Sequence, residues 1–206
     1  IVLFVHKLIL AILSIPRLLR QRRERRRHAR GLRALTVGLA AVAAGDHKIA
    51  AYQSYRASKL LPDERGLSLF LEAQAARMKG QMAQAREGFQ KLMDQRDTAF
   101  LGLRGLLVTA MEEGDLARAV ALAAQAAKLH PRQNWIQVLY YQLALRARKW
   151  DEAQKIITQL EKLAALPPET LRADRIALML QRAEETQTRG DIQDALHLTR
   201  KAHGLD

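Results

Sequence analysis

The chain has no cysteine among its 206 residues, so neither a disulfide framework nor a cysteine-ligated metal site can form. This absence is compatible with a reducing compartment. Aromatic residues make up only 5% of the chain and runs of β-branched residues are scarce, whereas alanine and leucine are abundant. Because alanine and leucine have high helix propensity, this composition favours an all-helical fold.

Motifs for catalysis are also missing. The chain has no Gly-rich phosphate loop, no His-Glu-x-x-His and no serine motif of the strand–turn–helix type. Its six histidines are scattered: His6, His28, His47, His130, His197 and His203. An isolated histidine is more often a surface or packing residue than a ligand, because ligation needs partners in a defined geometry. We therefore expect a protein that is not an enzyme, without catalytic, cofactor-binding or metal-binding residues.

What the sequence does contain is a short pattern that recurs five times: a turn residue, then alanine five positions later. The five instances are Gly45 with Ala50, Gly80 with Ala85, Gly114 with Ala119, Arg148 with Ala153, and Gly190 with Ala195. The alanines are separated by 35, 34, 34 and 42 residues. A period of about 34 residues is that of stacked helix–turn–helix units, and the chain resembles a tetratricopeptide repeat (TPR) array.

Each position of the pattern has a physical reason. Glycine after an apolar-periodic run can adopt the left-handed conformation that ends a helix. Aspartate directly after it can cap the next helix by accepting a backbone hydrogen bond. Alanine is small enough to let the second helix cross close over the first. The fourth turn has Arg148 in place of glycine, so we expect either a costlier residue at the helix end or another turn geometry there. A generic alanine-rich bundle is the alternative, but it gives no reason for the repeated register.

The prediction is an all-α, TPR-like α-solenoid of about five helix–turn–helix units, preceded by an N-terminal membrane or basic helix. Its parts are a partial transmembrane helix at 1–19, an arginine-rich juxtamembrane neck at 20–30, and an array at 31–206. The repeats are expected at about 31–62, 66–93, 98–131, 132–162 and 170–206. Residues 163–169 (LAALPPE) break the helical pattern, and we expect this break to account for the 42-residue spacing.

The N-terminal part combines an apolar run with a cluster of arginines. Residues 17–33 contain nine arginines and one acid, Glu24, so this stretch carries +8 of the formal net charge of +13. An apolar segment followed by basic residues is typical of a membrane segment whose basic flank stays in the cytoplasm. An amphipathic helix lying on an anionic membrane is the alternative. The residues expected at the membrane surface are Arg17, Arg20, Arg22, Arg23, Arg25, Arg26 and Arg27.

A basic run by itself could also bind nucleic acid. No nucleic-acid-binding fold accompanies this one, and no aromatic residues are interleaved within it for base stacking. Anionic lipid headgroups explain both the apolar run and the charge. Nucleic acid is therefore not an expected partner.

The combination resembles the amino-terminal region of the HemY family, which are bacterial inner-membrane TPR proteins associated with haem biosynthesis. The resemblance rests on the basic neck followed by these segments: 31–35 (GLRAL), 41–46 (AVAAGD), 73–76 (AQAA), 103–106 (LRGL), Trp135 and 150–151 (WD). It implies a chain that begins inside a second membrane helix, an array on the cytoplasmic side of the inner membrane, and a role in late haem (protoporphyrin) biosynthesis. The residues themselves show no haem chemistry.

A partner-binding surface is predicted from the TPR register, in which the first helix of each unit lines a concave groove. The ten groove candidates are Gln74, Arg77, Arg104, Val108, Met111, Glu112, Trp135, Val138, Gln142 and Arg146. Their arginines suit a carboxylate-bearing peptide, or porphyrin propionates with Trp135 as a flat apolar face. The alternative is that they are ordinary solvated helix residues. Trp150, at a turn, is expected to be a packing anchor.

Three functions follow. The first is a membrane-anchored, non-enzymatic TPR scaffold that mediates protein–protein interactions among haem-biosynthesis enzymes. The second is a porphyrin or haem carrier that uses the groove, and this is the one cofactor-like ligand that the resemblance allows. The third is a generic membrane-tethered adaptor in envelope assembly.

Overall fold

The computed structural model of the chain describes the backbone of residues 2–204 and the side chains of residues 21–204. The described backbone forms ten α-helices and no strand. They are α1 (Val2–Ala43), α2 (His47–Leu60), α3 (Arg65–Met78), α4 (Met82–Met93), α5 (Ala99–Glu112), α6 (Leu116–Leu129), α7 (Asn134–Arg146), α8 (Trp150–Lys162), α9 (Pro168–Thr188) and α10 (Ile192–His203). Successive helices are connected by short turns, and the chain divides into two compact units between Thr109 and Ala110.

The turns between paired helices have the predicted left-handed glycine. The four turn glycines have φ angles of 79° (Gly45), 81° (Gly80), 72° (Gly114) and 90° (Gly190). In the third turn the Asp115 N–H donates to the Ala110 carbonyl at 2.9 Å and the Gly114 N–H to the Met111 carbonyl at 3.2 Å. These bonds satisfy carbonyls that the end of a helix would otherwise leave without partners.

The fourth turn has the same geometry without glycine, which is the first of the two alternatives expected there. Arg148 has a φ of 55°, and the Lys149 N–H donates to the Ala144 carbonyl at 2.9 Å. A residue with a Cβ in this conformation costs about 1–2 kcal/mol. The hairpin register therefore outweighs a local conformational penalty at this position.

The predicted aspartate caps are present. The Asp46 carboxylate accepts the backbone N–H groups of Lys48 and Ile49 at 3.0 and 2.9 Å, and Asp115 accepts that of Arg118 at 3.0 Å. Asp191 does the same for α10. By contrast, α4 and α8 begin without a side-chain cap hydrogen bond.

The repeated alanines lie in the helix–helix contacts. Their exposed fractions are 0% for Ala50, Ala85 and Ala153, 1% for Ala119 and 7% for Ala195. Seven positions further on, Ala57, Leu92, Ala126, Leu160 and Ala202 are all buried. Since leucine fits there as well as alanine, the second position requires an apolar side chain, whereas the first requires a small one.

The first unit has close backbone contacts that depend on glycine. A Cβ at Gly31 would overlap the Leu61 side chain, and a Cβ at Gly38 would lie 2.5 Å from Leu71 Cδ1. These contacts bring α1 against α2 and α3. In the second unit, the core is built from α7, α8 and α9; its fully buried members include Ala144, Ala153 and Leu160.

The explanation offered for the 42-residue spacing is wrong. The predicted break is present, but the connection at 163–167 has five residues, as does that at 94–98. The extra length lies in α9, which has 21 residues, whereas α2 to α8 and α10 have 12 to 14. Pro168 stands in the first turn of α9, where its fixed φ favours helix and its missing N–H costs nothing. The helix thus begins directly after the break, two residues before the predicted 170.

The neck and the first helix of the array form one helix, α1, rather than two elements. The division at 1–19, 20–30 and 31–206 stays a prediction, and the membrane segment at 1–19 lies outside the residues whose side chains are described. Among those that are described, no helix is both long and apolar enough to cross a membrane.

Candidate functional site

Two groove candidates lie on α3, and they contact each other. Gln74 and Arg77 are both half-buried. The Arg77 Nε and Nη2 groups donate to the Gln74 amide oxygen at 3.1 and 3.0 Å. A guanidinium held by two parallel bonds loses less conformational freedom when a carboxylate approaches. This pair is therefore oriented by its own helix.

Two further candidates lie on the outer side of α5 in the first unit. Arg104 is exposed and Val108 is half-buried; they are four residues apart and share one helix face. The neighbouring Leu103 and Leu107 are buried at 0% and 1% exposure. The core therefore determines which face of α5 presents the two candidates.

The remaining six candidates lie in the second unit. Met111 and Glu112 are exposed near the end of α5. On α7, Trp135 is 43% exposed, Val138 is half-buried, and Gln142 and Arg146 are exposed. The α7 residues follow a spacing of three, four and four, which places them on one face. None of the ten candidates lies in the core, so each is accessible for contact, and their role as a partner site stays a prediction.

Trp150 is a packing residue, as expected. It is half-buried at the start of α8 and packs against the core of the second unit. Its indole Nε1–H donates to the Glu185 carboxylate of α9, which also pairs with Arg189 at 2.7 Å. The indole therefore joins α8 to α9 through both its apolar body and its polar N–H.

A polar network around Trp150 was not predicted from the sequence. Arg182 of α9 pairs with Asp151 at 2.8 Å, and the Tyr140 hydroxyl donates to Glu152 at 2.9 Å. Burial, followed by this bond to Glu152, raises the pKa of Tyr140 to about 12. The partners are 12 and 31 residues apart in sequence, so no local pattern indicated them.

A second buried polar pair lies between α7 and α9. Burial is the main cause that raises the pKa of Tyr141, with the charge of Asp174 second. Burial likewise raises the pKa of the Asp174 carboxyl, although the hydrogen bond from Tyr141 opposes the shift. The pair stabilises the contact of the two helices, and nothing beside it suggests a reaction.

The basic neck is exposed where its side chains are described. Arg22, Arg23, Arg25, Arg26 and Arg27 all lie on the surface. Arg17 and Arg20 lie outside the residues whose side chains are described.

One arginine of the neck contacts the array. The Arg27 Nη2 donates to the Lys59 carbonyl at the end of α2, at 2.7 Å. One residue further, His28 Nε2 lies 3.5 Å from a Glu64 carboxylate oxygen. The neck therefore contacts both ends of the α2–α3 connection. Among residues 21–204, no group of three or more histidines and carboxylates is placed to hold a metal ion.

The fold defines this chain as an all-α, TPR-like helical repeat protein, and comparison with solved structures agrees. MamA of AMB-1, in a P212121 crystal form, matches with a TM-score of 0.55 and 17% identity over 87% of this chain and 93% of MamA. MamA of MSR-1, in a C2 form, matches with a TM-score of 0.51 and 18% identity over 86% of this chain and 97% of MamA. At this identity the likeness shows the fold, and the predicted fold class is confirmed.

The N-terminal region of the chain matches a known family. Residues 1–80 match the family described as HemY protein N-terminus. Over these residues the chain is similar to the HemY family, which confirms the resemblance drawn from the neck and the first repeats. A comparison with curated proteins yields no match.

Proposed function

We propose that this protein is a membrane-anchored TPR scaffold that binds other proteins and catalyses no reaction itself. The observation that carries the proposal is the continuity of α1. Within the region that matches the HemY N-terminus, one helix contains both the basic neck and the first helix of the repeats. Because a continuous helix resists bending over several turns, a tether at one end holds the first hairpin in a restricted orientation.

The partner-binding part of the proposal is supported by the ten groove candidates. All of them lie outside the core, on the first helices of their pairs. Arginine, amide and apolar side chains together can bind a peptide through charge-assisted hydrogen bonds and apolar contact. Partner proteins with exposed carboxylates are the ligands that this set of side chains favours.

The pathway and the location are taken from the family. The match of residues 1–80 to the HemY N-terminus supports a role in late haem biosynthesis, with haem-biosynthesis enzymes as the partners. Since basic flanks stay on the cytoplasmic side, the array lies on the cytoplasmic side of the bacterial inner membrane.

Site-specific photocrosslinking in membranes tests the scaffold. A photoreactive amino acid at Gln142, on the predicted partner face of α7, should form crosslinks to haem-biosynthesis enzymes. The same amino acid at Thr158 is the matched control, because Thr158 is exposed on the second helix of the same pair. Equal crosslinking at both positions, or recovery of no pathway enzyme from Gln142, would contradict the proposal.

A haem titration separates the scaffold from the carrier. If the scaffold hypothesis is right, adding haem to the protein produces no Soret shift that depends on Trp135 or Arg104. A shift that is abolished by Trp135→Ala and by Arg104→Gln, but kept in a control Thr158→Ala, would instead support the porphyrin carrier.

A further inference from the structure

The outward face of α2 carries an unusual stripe of side chains. Lys48, Tyr52, Tyr55 and Lys59 follow a spacing of four, three and four, which places them within one narrow sector of the helix. We refer to these four residues as the aromatic–basic stripe. They lie opposite the buried face of α2, formed by Ala50, Gln53, Ser54 and Ala57.

The stripe is strongly exposed. Tyr52 and Tyr55 are 60% and 64% exposed, and the neighbouring Ile49 is 45% exposed. Large apolar surface is normally buried, so two adjacent exposed tyrosines on one helix face suggest an interaction surface. Half of the four tyrosines in the chain lie on this stripe.

The stripe is specific to the first hairpin. Shifted by the 35 residues that separate Ala50 from Ala85, its positions are Ala83, Glu87 and Gln90 in α4 and Asp94 directly after it. These side chains are small, acidic or amide, and Glu87 pairs with Lys91 at 2.6 Å within its own helix. α2 and α4 thus have the same register but differ in their outward-facing side chains. Of the two, only α2, which contacts the neck, presents aromatic and basic side chains.

The charge of α2 is of one sign. The helix contains Lys48, Arg56 and Lys59 and no acidic residue, and in the described part of the chain none of these three forms an ion pair with a carboxylate. Its end is also attached to the basic neck, because Arg27 donates to the Lys59 carbonyl at 2.7 Å. A surface of this charge complements an anionic partner.

We infer that the aromatic–basic stripe docks on the anionic headgroup region of the membrane, as a second contact beside the neck. Tyrosine is favoured at membrane interfaces because one end is apolar and the other hydrogen-bonds with water. Lysine and arginine attract anionic headgroups. The inference rests on the proposed membrane tether and adds to it. Because α2 runs antiparallel beside the continuous α1, both helices of the first hairpin lie along the bilayer surface, with the stripe facing the headgroups.

Nucleic acid is the alternative anionic partner, and the ring geometry disfavours it. The Arg56 guanidinium lies 5.7 Å from the centroid of the Tyr52 ring, and the Lys59 ammonium lies 5.6 Å from that of Tyr55. A cation over each ring occupies a face on which a base would stack. Headgroup contact needs only the hydroxyl and the ring edge, so these cation–π pairs are compatible with a lipid surface.

A fluorescent probe beside the stripe tests the inference in the full chain. Because the chain has no cysteine, a single Ala51→Cys change allows one environment-sensitive label next to Tyr55 without altering the stripe. Ala83→Cys is the matched control, since both alanines are exposed and Ala83 occupies the stripe's register in α4. Each labelled chain is mixed with vesicles of phosphatidylcholine alone, or of phosphatidylcholine and phosphatidylglycerol in equal parts.

We expect the label at residue 51 to shift to the blue and to become protected from acrylamide only on the anionic vesicles, while the label at residue 83 stays in water. Three cations at about 1 kcal/mol each correspond to about 100-fold in the docking equilibrium. Lys48→Gln/Arg56→Gln/Lys59→Gln should therefore remove most of the shift. Lys79→Gln/Arg96→Gln/Lys128→Gln has the same net charge and should keep it.

The outcomes separate this inference from the proposed function. If the chain floats with the vesicles while the label at 51 stays in water, or if both labels respond alike, the stripe does not dock and the tether survives. If the chain does not float with any vesicles, the tether fails and the inference fails with it. If single-stranded poly(U) shifts the label at 51 and anionic vesicles do not, the stripe binds nucleic acid and the inference is wrong.

Salt gives an independent check. Raising the salt from 0.1 to 1 M shortens the Debye length from about 10 to about 3 Å. The label at residue 51 should then return to water while the chain remains on the vesicles through its apolar segment. A response at 51 that high salt leaves unchanged would overturn the electrostatic docking.

Discussion

Gly102→Ala offers a sharp test of the packing of α4 against α5. A methyl group at residue 102 would overlap two backbone atoms of α4, the Met93 nitrogen and the Phe89 carbonyl oxygen, and would lie 2.9 Å from the Met93 Cα. Side chains can rotate away from a new methyl group, but the backbone of a helix cannot. The two helices must therefore separate, and the contacts around the fully buried Phe89 are lost.

The size of the effect follows from two opposing terms. Overpacking of a core costs about 3 kcal/mol at its upper range, which applies because backbone atoms are involved. Alanine in place of glycine returns about 1 kcal/mol of helix propensity. The net destabilisation should be about 2 kcal/mol, and for a chain of this length it should lower the melting temperature by about 4–8 °C.

Urea and thermal unfolding followed by far-ultraviolet circular dichroism measure this effect. Gly204→Ala is the control, because a Cβ at residue 204 would meet its nearest atoms at 3.6 and 3.7 Å, which is ordinary contact. The control should unfold like the unaltered chain. A Gly102→Ala variant as stable as the control would refute the close approach of α4 and α5.

Three further predictions concern local features of the hairpins. Arg148→Gly should raise the free energy of unfolding by about 1 kcal/mol, because glycine adopts the positive φ of the fourth turn without strain; an unchanged urea midpoint would argue against that turn. Asp115→Ala should lower it by about 1 kcal/mol through the lost cap, whereas Gln81→Ala, at a helix start without a side-chain cap bond, should have little effect; equal losses would contradict the capping assignment. Tyr140 should ionise near pH 12 in an absorbance titration, and since its pKa is raised above the value of about 10 in the unfolded chain, its contribution to stability is complete below pH 10 and is lost as the pH rises towards 12. Removing its partner with Glu152→Gln should lower that pKa, and an unchanged titration would contradict the Tyr140–Glu152 bond.

Local chemistry could be predicted well because its causes lie within a few residues. Gly114 and Asp115 illustrate this: one adopts a positive φ and the other caps the next helix, and each role depends on neighbours at most five positions away. α2 and α4 end at Leu60 and Met93, within two residues of the ends expected for the first two repeats. The predicted alanines are buried because the repeat places them at every close crossing.

Features that depend on distant residues could not be predicted. Trp150 bonds to Glu185, 35 residues away, and no periodic signal relates the two. Likewise, the break at 163–169 looked sufficient to explain a longer repeat. The extra residues lie in α9 instead. Its additional turns have the same helical period as the rest of the helix, so the sequence pattern did not reveal its length.

The candidate site likewise has a part that could be predicted from the sequence and a part that could not. Residues on one helix face, such as Trp135 and Gln142, could be assigned to a surface from spacing alone, because helical geometry fixes which residues share a face. The aromatic–basic stripe was missed even though its four residues are regularly spaced. Exposure decides whether such a face matters, and exposure depends on which side of α2 the neighbouring helices cover.

The sequence by itself determined the helical class, the hairpin register, the turn conformations and the HemY-like N-terminus, because each follows from a recurring local pattern. Only the tertiary structure decided that the basic neck continues into the first hairpin and is held there by Arg27, and that α2 directs two tyrosines away from the core. The physical reason is that burial and contact are properties of packed neighbours. Periodicity specifies the faces of a helix, and the surrounding helices select which face is covered.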